Sequence, residues 1–326
     1  MVELAPLFAA KALKMNKIFI DGQAGTTGLQ IQERLSLRSD IELIEIDPAE
    51  RKNPDAKQSI IDQADVVVLC LPDDAAREAV RNTKNPHTRF IDASTAHRVN
   101  PDWTYGMPEL MPGQRDAIAS ARLISNPGCY PTGFLATVKP LISAGVLAHN
   151  ALISISAISG YSGGGRQLIE KYESESANWP ARPYSLALKH KHVPEMTQYA
   201  GLSTSPLFTP TVGHFYKGML VSVPIHRDQL VKAQSIENVH QLISDQYATE
   251  PCINVMPLND DAALQDGFLD PEAANGTNRV DVFVYGHNDQ MMLIARLDNL
   301  GKGAAGAAVQ NLNLMLQVTE LEGLSL

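Results

Sequence analysis

The order of hydrophobic patterns along these 326 residues predicts a doubly wound α/β domain followed by an α+β domain with a mostly antiparallel sheet. Three observations carry that prediction. In the first half, short apolar runs alternate with stretches of helical spacing, as βαβ units require. In the second half, runs with period-two alternation dominate and helical stretches are few. The chain then finishes in a small-residue-rich helical segment, which is expected to cross back and pack on the first domain.

Lys17–Asp21 (KIFID) opens the first half and runs into GQAGTTG, Gly22–Gly28, after which Leu29, Ile31 and Leu35 mark a helix. IELIEI (Ile41–Ile46) is the next strand, followed by a polar, Pro-containing loop. DVVVLCLP (Asp65–Pro72) is apolar almost throughout, which suits a strand buried on both faces of a parallel sheet. A helical stretch, Ala75–Arg81, leads to the strand Arg89–Ser94. Beyond it, Ala151–Ser159, Gly218–His226, Ile253–Leu258, Arg279–Gly286 and Gln290–Leu297 alternate like half-buried strands. The last two are joined by the hairpin residues His287, Asn288 and Asp289. Helices are expected at Arg166–Ser176 and Ser235–Tyr247, and from GKGAAGAAVQNLNLML at the end.

Composition narrows the function classes. At 44% hydrophobic and 19% charged residues the chain reads as a soluble globular protein, long enough for two cores. A net charge of −9 opposes nucleic-acid binding, which needs surplus cations on one face. No apolar run spans a bilayer. Cys70, Cys129 and Cys252 are odd in number and far apart, so a reducing, cytoplasmic setting is expected rather than a disulfide framework. Residues 1–14, with Glu3 and no Arg, read as a peripheral extension rather than a signal peptide, and Met15 is an alternative start.

GQAGTTG follows a strand and opens a helix, the setting in which backbone N–H groups cradle a pyrophosphate. Gly22, Gly25, Thr26, Thr27 and Gly28 are therefore candidate dinucleotide residues; the competing reading is a flavodoxin-like site for another phosphate. Asp47 stands where a carboxylate would hold a ribose hydroxyl and favour NAD, whereas Arg51 and Lys52 would meet a 2′-phosphate.

SNPGCYPTG, Ser125–Gly133, sets Cys129 on a Pro-Gly turn ahead of an apolar helix carrying Phe134, Leu135, Val138, Leu141 and Ile142. Helix-start N–H groups and the dipole favour thiolate and are expected to lower the thiol pKa. The bland alternative is a small buried residue at a helix start. KHKHVPE, Lys189–Glu195, supplies two imidazoles, His190 and His192, which point the same way in an extended segment. One of them near the thiol would move its proton. Zinc binding by H-x-H lacks third and fourth ligands nearby, so no metal is expected; an exposed basic loop is the stronger alternative.

These segments resemble the N-acetyl-gamma-glutamyl-phosphate reductases of arginine biosynthesis, in their shorter subtype. SNPGCYPTG looks like that family's active-site segment and KHKHVPEM its histidine segment. YGMPEL (Tyr105–Leu110) and NLGKGAAGAAVQNLNLM (Asn299–Met315) match recurring phrases, and the likeness runs from Lys17 to the end. The resemblance implies a fold related to aspartate-semialdehyde and glyceraldehyde-phosphate dehydrogenases. There a Rossmann domain, 15–128, is interrupted by a catalytic and dimerisation domain, 129–299, and completed by 300–326. It implies NADPH-dependent reduction of an acyl phosphate through a Cys129 thioester, with His192 as acid/base and His190 a close second, and a homodimer or homotetramer. Because the substrate carries phosphate and carboxylate, Arg166, Lys217 and Arg98 are candidate substrate cations, each equally readable as a surface charge. Glu195 of the histidine segment joins the substrate candidates. Asn311 and the GKGAAG turn resemble the part that closes over the nicotinamide, with close packing of Gly301, Gly303 and Gly306 as the alternative. A sister reductase for an aspartyl or aminoadipyl phosphate is the nearest rival. A non-catalytic dinucleotide sensor is the rival from another class, and it requires an inert Cys129.

Overall fold

The computed structural model describes residues 15–51, 53–174, 179–231 and 234–326. The expected extension over residues 1–14 and the candidate Lys52 lie outside the described residues.

The first sheet contains β1 (Asn16–Asp21), β2 (Ile41–Ile44), β3 (Val66–Leu69), β4 (Arg89–Asp92), β5 (Thr104–Tyr105) and β6 (Leu123–Ser125), all parallel, in the order β2-β1-β3-β4-β6-β5. Helices α1 (Thr26–Leu35), α2 (Pro54–Gln63), α3 (Asp73–Asn82) and α4 (Gln114–Ser120) connect its strands. The continuous apolar run of β3 reflects burial on both sides. Val66 and Val68 join Ile31, Leu35 and Ile118 on one face, while Val67 and Leu69 join Ile61 and Ala76 on the other. Where a loop was expected after β2, α2 forms instead. Asn53 accepts from the Asp55 N–H at 3.0 Å and Pro54 occupies the first turn, a capped start that the polar composition concealed.

Helix α5 (Cys129–Ser143) leaves the end of β6 and enters the second layer system. There β7 (Ser154–Gly160), α6 (Arg166–Glu173), β8 (Arg182–Pro183), α7 (Val193–Ala200), β9 (Leu207–Gly213), β10 (Met219–His226), α8 (Ile236–Tyr247) and β11 (Ile253–Val255) follow in sequence. A small β12 (Leu264–Gln265) and β13 (Phe268–Leu269) hairpin precedes β14 (Val280–His287) and β15 (Gln290–Leu297). The large sheet runs β11-β14-β15-β10-β7-β9-β8 and is antiparallel except at β11–β14 and β7–β9. Asn288 and Asp289 make the β14–β15 turn, His287 already pairing with Gln290. One face of this sheet, including Ile155, Val221, Leu293 and Ala295, is buried with Phe134, Val138 and Leu141 of α5. A Cβ at Gly133 would lie 2.8 Å from Val221, so α5 rests directly on β10.

After β15 a π-helical turn, Gly301–Ala305, leads into α9 (Gly306–Leu316). Val309, Leu312 and Met315 of α9 belong to the core of the first sheet, with Ile18 and Val66. The chain end therefore returns to the first sheet.

Candidate active site

A cavity of about 810 Å³ lies between the two sheets. At one end it is lined by Gly25, Thr26, Thr27 and Gly28, at the start of α1. That helix start has no side-chain cap and no acidic residue in its first turn, so its N–H groups remain available to an anion. Gly22 sits at φ +91 with its carbonyl accepting the Gly25 N–H at 3.0 Å. A Cβ there would lie 2.3 Å from the Cys70 carbonyl oxygen, and one at Gly28 would lie 2.5 Å from the Gly22 oxygen. The turn is thus built of backbone packed on backbone, which fits a pyrophosphate cradle. Asp47 and Arg51 are exposed beyond the end of β2 and do not line this cavity; Asp47 accepts the Ala49 N–H at 2.8 Å.

Cys129 is the first residue of α5 and lines the middle of the cavity. Gly128 before it has no room for a side chain, because a Cβ would fall 2.5 Å from Arg98 Nη1 and 2.8 Å from His192 Nε2. A guanidinium and an imidazole therefore lie over the peptide that precedes the thiol. From the other side Gly303 closes in, where a Cβ would lie 2.7 Å from that of Cys129. The expected lowering of the thiol pKa is overturned. Burial pushes the Cys129 thiol up to about 11, against the pull of the Arg98 charge and the Tyr130 N–H. Desolvation outweighs the helix terminus.

His190 and His192 both line the cavity, but not as alternate residues of an extended segment. The chain turns between them so that the His192 N–H donates to His190 Nδ1 at 3.1 Å, and the rings meet edge to face. Burial, with the Arg98 and His190 neighbours, holds His192 well below its usual range; burial and Lys191 bring His190 to about 4. Both imidazoles are neutral at pH 7, and burial makes each a weaker base than a free imidazole.

Glu195, in the first turn of α7, does not line the cavity. Its carboxylate instead accepts from Arg98 Nη1 at 3.0 Å, the Tyr105 hydroxyl at 2.7 Å and the Gly128 N–H at 2.8 Å. It thereby fixes the cation and the turn before Cys129. Arg98 is buried on the cavity wall, while Arg166 stands at its rim, 82% exposed and paired with Glu170 at 2.7 Å. Lys217 is off the cavity and pairs with buried Asp298 at 3.3 Å. Asn311 is also off it, donating to the Gly106 carbonyl at 2.9 Å and to Asn126 at 3.1 Å. Asn299, Leu300, Gly303 and Ala304 face the cavity in its place.

Three supporting groups were not singled out from the sequence. Tyr184 reaches the Tyr130 hydroxyl and His190 Nε2, each at 3.3 Å. Lys302, fully buried in the π-helical turn, pairs with buried Glu109 at 2.7 Å. Glu109 also accepts from Gln310, which reaches Glu320, and Arg115 bridges Glu320 to Glu250. Tyr105 and Glu109 both fall in the YGMPEL phrase, a signal that was present; Tyr184 had none. Among the described residues no cluster suited to a metal ion occurs, and no helix is long and apolar enough to cross a membrane.

The family models for the semialdehyde dehydrogenase NAD binding domain and dimerisation domain match residues 7–121 and 129–299. Aspartate semialdehyde dehydrogenase II from Vibrio cholerae superposes with a TM-score of 0.71 at 18% identity, over 93% of this chain and 99% of that one. The Candida albicans enzyme crystallised with NADP gives 0.61 at 14%, over 93% and 99%. The chain is thus an oxidoreductase built on the semialdehyde dehydrogenase fold, with a dinucleotide-binding domain. A Nostoc sp. protein named N-acetyl-gamma-glutamyl-phosphate reductase 2 is 52% identical over 94% of this chain and 99% of its own length. The Brucella ovis N-acetyl-gamma-glutamyl-phosphate reductase is 49% identical over 92% and 98%. The chain belongs to the N-acetyl-gamma-glutamyl-phosphate reductase family.

Proposed function

We propose that the chain reduces N-acetyl-glutamyl 5-phosphate to N-acetylglutamate 5-semialdehyde with NADPH, releasing phosphate, as a cytoplasmic step of arginine biosynthesis. The observation that carries this reading is one cavity joining the Gly25–Gly28 turn to Cys129 and His192. Neutral His192 takes the thiol proton, and the sulfur attacks the acyl carbon. The carbon–oxygen bond to phosphate breaks, the leaving oxygen receives the proton from His192, and a thioester remains on Cys129. When bound, the reduced nicotinamide supplies a hydride to the thioester carbon. The resulting alkoxide collapses to the aldehyde, expelling the sulfur, which regains a proton drawn from solvent through His192. Arg98, held by Glu195, places a positive charge beside the peptide where oxyanions develop. Assay in reverse with phosphate, NADP and each of the three semialdehydes tests the substrate; a preference for the aspartate or aminoadipate compound would reject the assignment.

His192→Asn should lower kcat by about 10²–10⁴-fold while dinucleotide affinity changes little, and His190→Asn should cost less. Steady-state kinetics and a dinucleotide titration check this. The reverse order would make His190 the acid/base, and no effect from either would reduce the pair to a basic loop.

NADPH preference rests on Arg51 and Lys52 and on the family likeness, and is opposed by Asp47. Charge-assisted bonds to a 2′-phosphate should fade with salt and with the double change Arg51→Ala, Lys52→Ala. Equal efficiency with NADH would show that Asp47 governs the ribose.

A homo-oligomer is supported by the outward face of the large sheet, where Ile158, Leu220, Met292 and Ile294 are only half-buried. A monomer mass in light scattering would count against it.

A further inference from the structure

The proposed reaction fixes which way its substrate must lie. The acyl carbon sits at Cys129 and the dinucleotide turn fills one end of the cavity, so the rest of the acyl group extends toward the other end. That end is walled by the glycine turn after β7, by Tyr172 and Trp179, and by β8. An N-acetylglutamyl group carries a carboxylate there, which needs a cation when withdrawn from water.

The three cations expected from the sequence are committed or misplaced, and Lys191 sits between the two histidines rather than at this end. Arg98 is tied to Glu195, Arg166 leans outward onto Glu170, and Lys217 is off the cavity on Asp298. Arg182 differs. It too is exposed, but its guanidinium carbon lies 4.1 Å from the centre of the Trp179 ring, and both residues line the cavity. Among the described residues no carboxylate pairs with it. A guanidinium held over an indole face still has N–H groups to offer a carboxylate.

Strand geometry sets the distance. Arg182 pairs with Val212, and the ladder continues as Tyr184 N–H donates to the Pro210 carbonyl at 3.0 Å. Arg182 and Tyr184 therefore share a face, about 6.6 Å apart along the strand. Tyr184 ends at Tyr130 and His190, beside the thiol. The substrate carboxylate is four bonds from the reacting carbon, about 5 Å when extended, by ordinary bond lengths. One strand step thus spans about what the acyl chain spans.

We propose that Arg182, braced by Trp179, reads the α-carboxylate of the substrate and sets specificity for an N-acyl amino acid over a plain acyl chain. This rests on the reaction proposed above. The test compares two aldehydes in the reverse assay with phosphate and NADP: N-acetylglutamate 5-semialdehyde, and 4-acetamidobutanal, the same skeleton without the carboxylate. The wild-type chain should favour the first by about 30-fold in kcat/KM, the worth of a hydrogen-bonded charge pair. Arg182→Ala and the bulkier Arg182→Gln should each collapse that ratio toward one, mainly through KM, and Arg182→Lys should keep part of it. Thermal melts confirm that each variant is folded. An unchanged ratio, or equal losses on both aldehydes, overturns the proposal. A wild-type chain that turns over neither aldehyde rejects the proposed reaction instead.

Discussion

Cys129→Ser is expected to fold, to bind dinucleotide, and to lose at least about four powers of ten in turnover, because a neutral hydroxyl is a poor nucleophile at pH 7. Residual activity above about a tenth of wild type would end the covalent mechanism. The same variant serves as the blank for a second measurement. With its thiol near pH 11, Cys129 in the dinucleotide-free chain should react with iodoacetamide about tenfold faster per pH unit from 7 upward, without a plateau below 10. A plateau near pH 7 would mean that an imidazole already holds the proton before substrate arrives. A thiol inert at every pH would favour the sensor reading.

The largest expected loss of stability comes from Lys302→Met. Removing one partner of a buried pair typically costs about 3–5 kcal/mol, here roughly 10 °C in Tm, because Glu109 is left charged without its ammonium. Sign and pH window follow from the shifts. Although burial raises it, Lys302 and Gln310 hold Glu109 below its ordinary 4.5, so the wild-type pair stabilises above that pH and loses its contribution as pH falls through the lower folded value. In the variant the unpaired carboxyl titrates upward, so its penalty is greatest at neutral pH and is relieved by protonation. The gap in Tm between wild type and Lys302→Met should therefore narrow on acidification, and Lys302→Met with Glu109→Leu should recover part of the loss. A gap independent of pH would mean that packing, not charge, is what Lys302 supplies.

The parallel first half was legible because its signals are local: the glycine turn behind β1 and the apolar run of β3 need no distant partner to be read. Strand β9 is hidden in the sequence because Pro210 in LFTPTVG has no N–H to give a ladder, and its tolerance depends on pairing with β7 and the short β8. Cys129 and the two histidines were found by type and setting, yet the direction of the thiol pKa was not. A helix start is visible in sequence, whereas the burial that opposes it depends on packing by distant segments, Gly303 among the residues closing on Cys129. Glu195 illustrates the same limit. Its proximity to His192 was evident, but only the fold shows it turned toward Arg98 and Gly128 rather than the cavity.

The turn that seats against the thiol leads directly into α9, so both are made only after the whole of the second sheet. Until residues 301–316 are made, the face of the first sheet with Ile18, Ile20, Val66 and Val68 has only α1 and α4 as cover, and Cys129 has no Gly303 against it. The middle of the chain supplies most of its own core and can close earlier. Arrival of the π-helical turn and α9 then completes the pocket and the cover of the waiting strands together. A stalled or prematurely ended translation product would therefore emerge as a client for chaperones and proteases, with open apolar strands, before it ever became a half-formed catalyst.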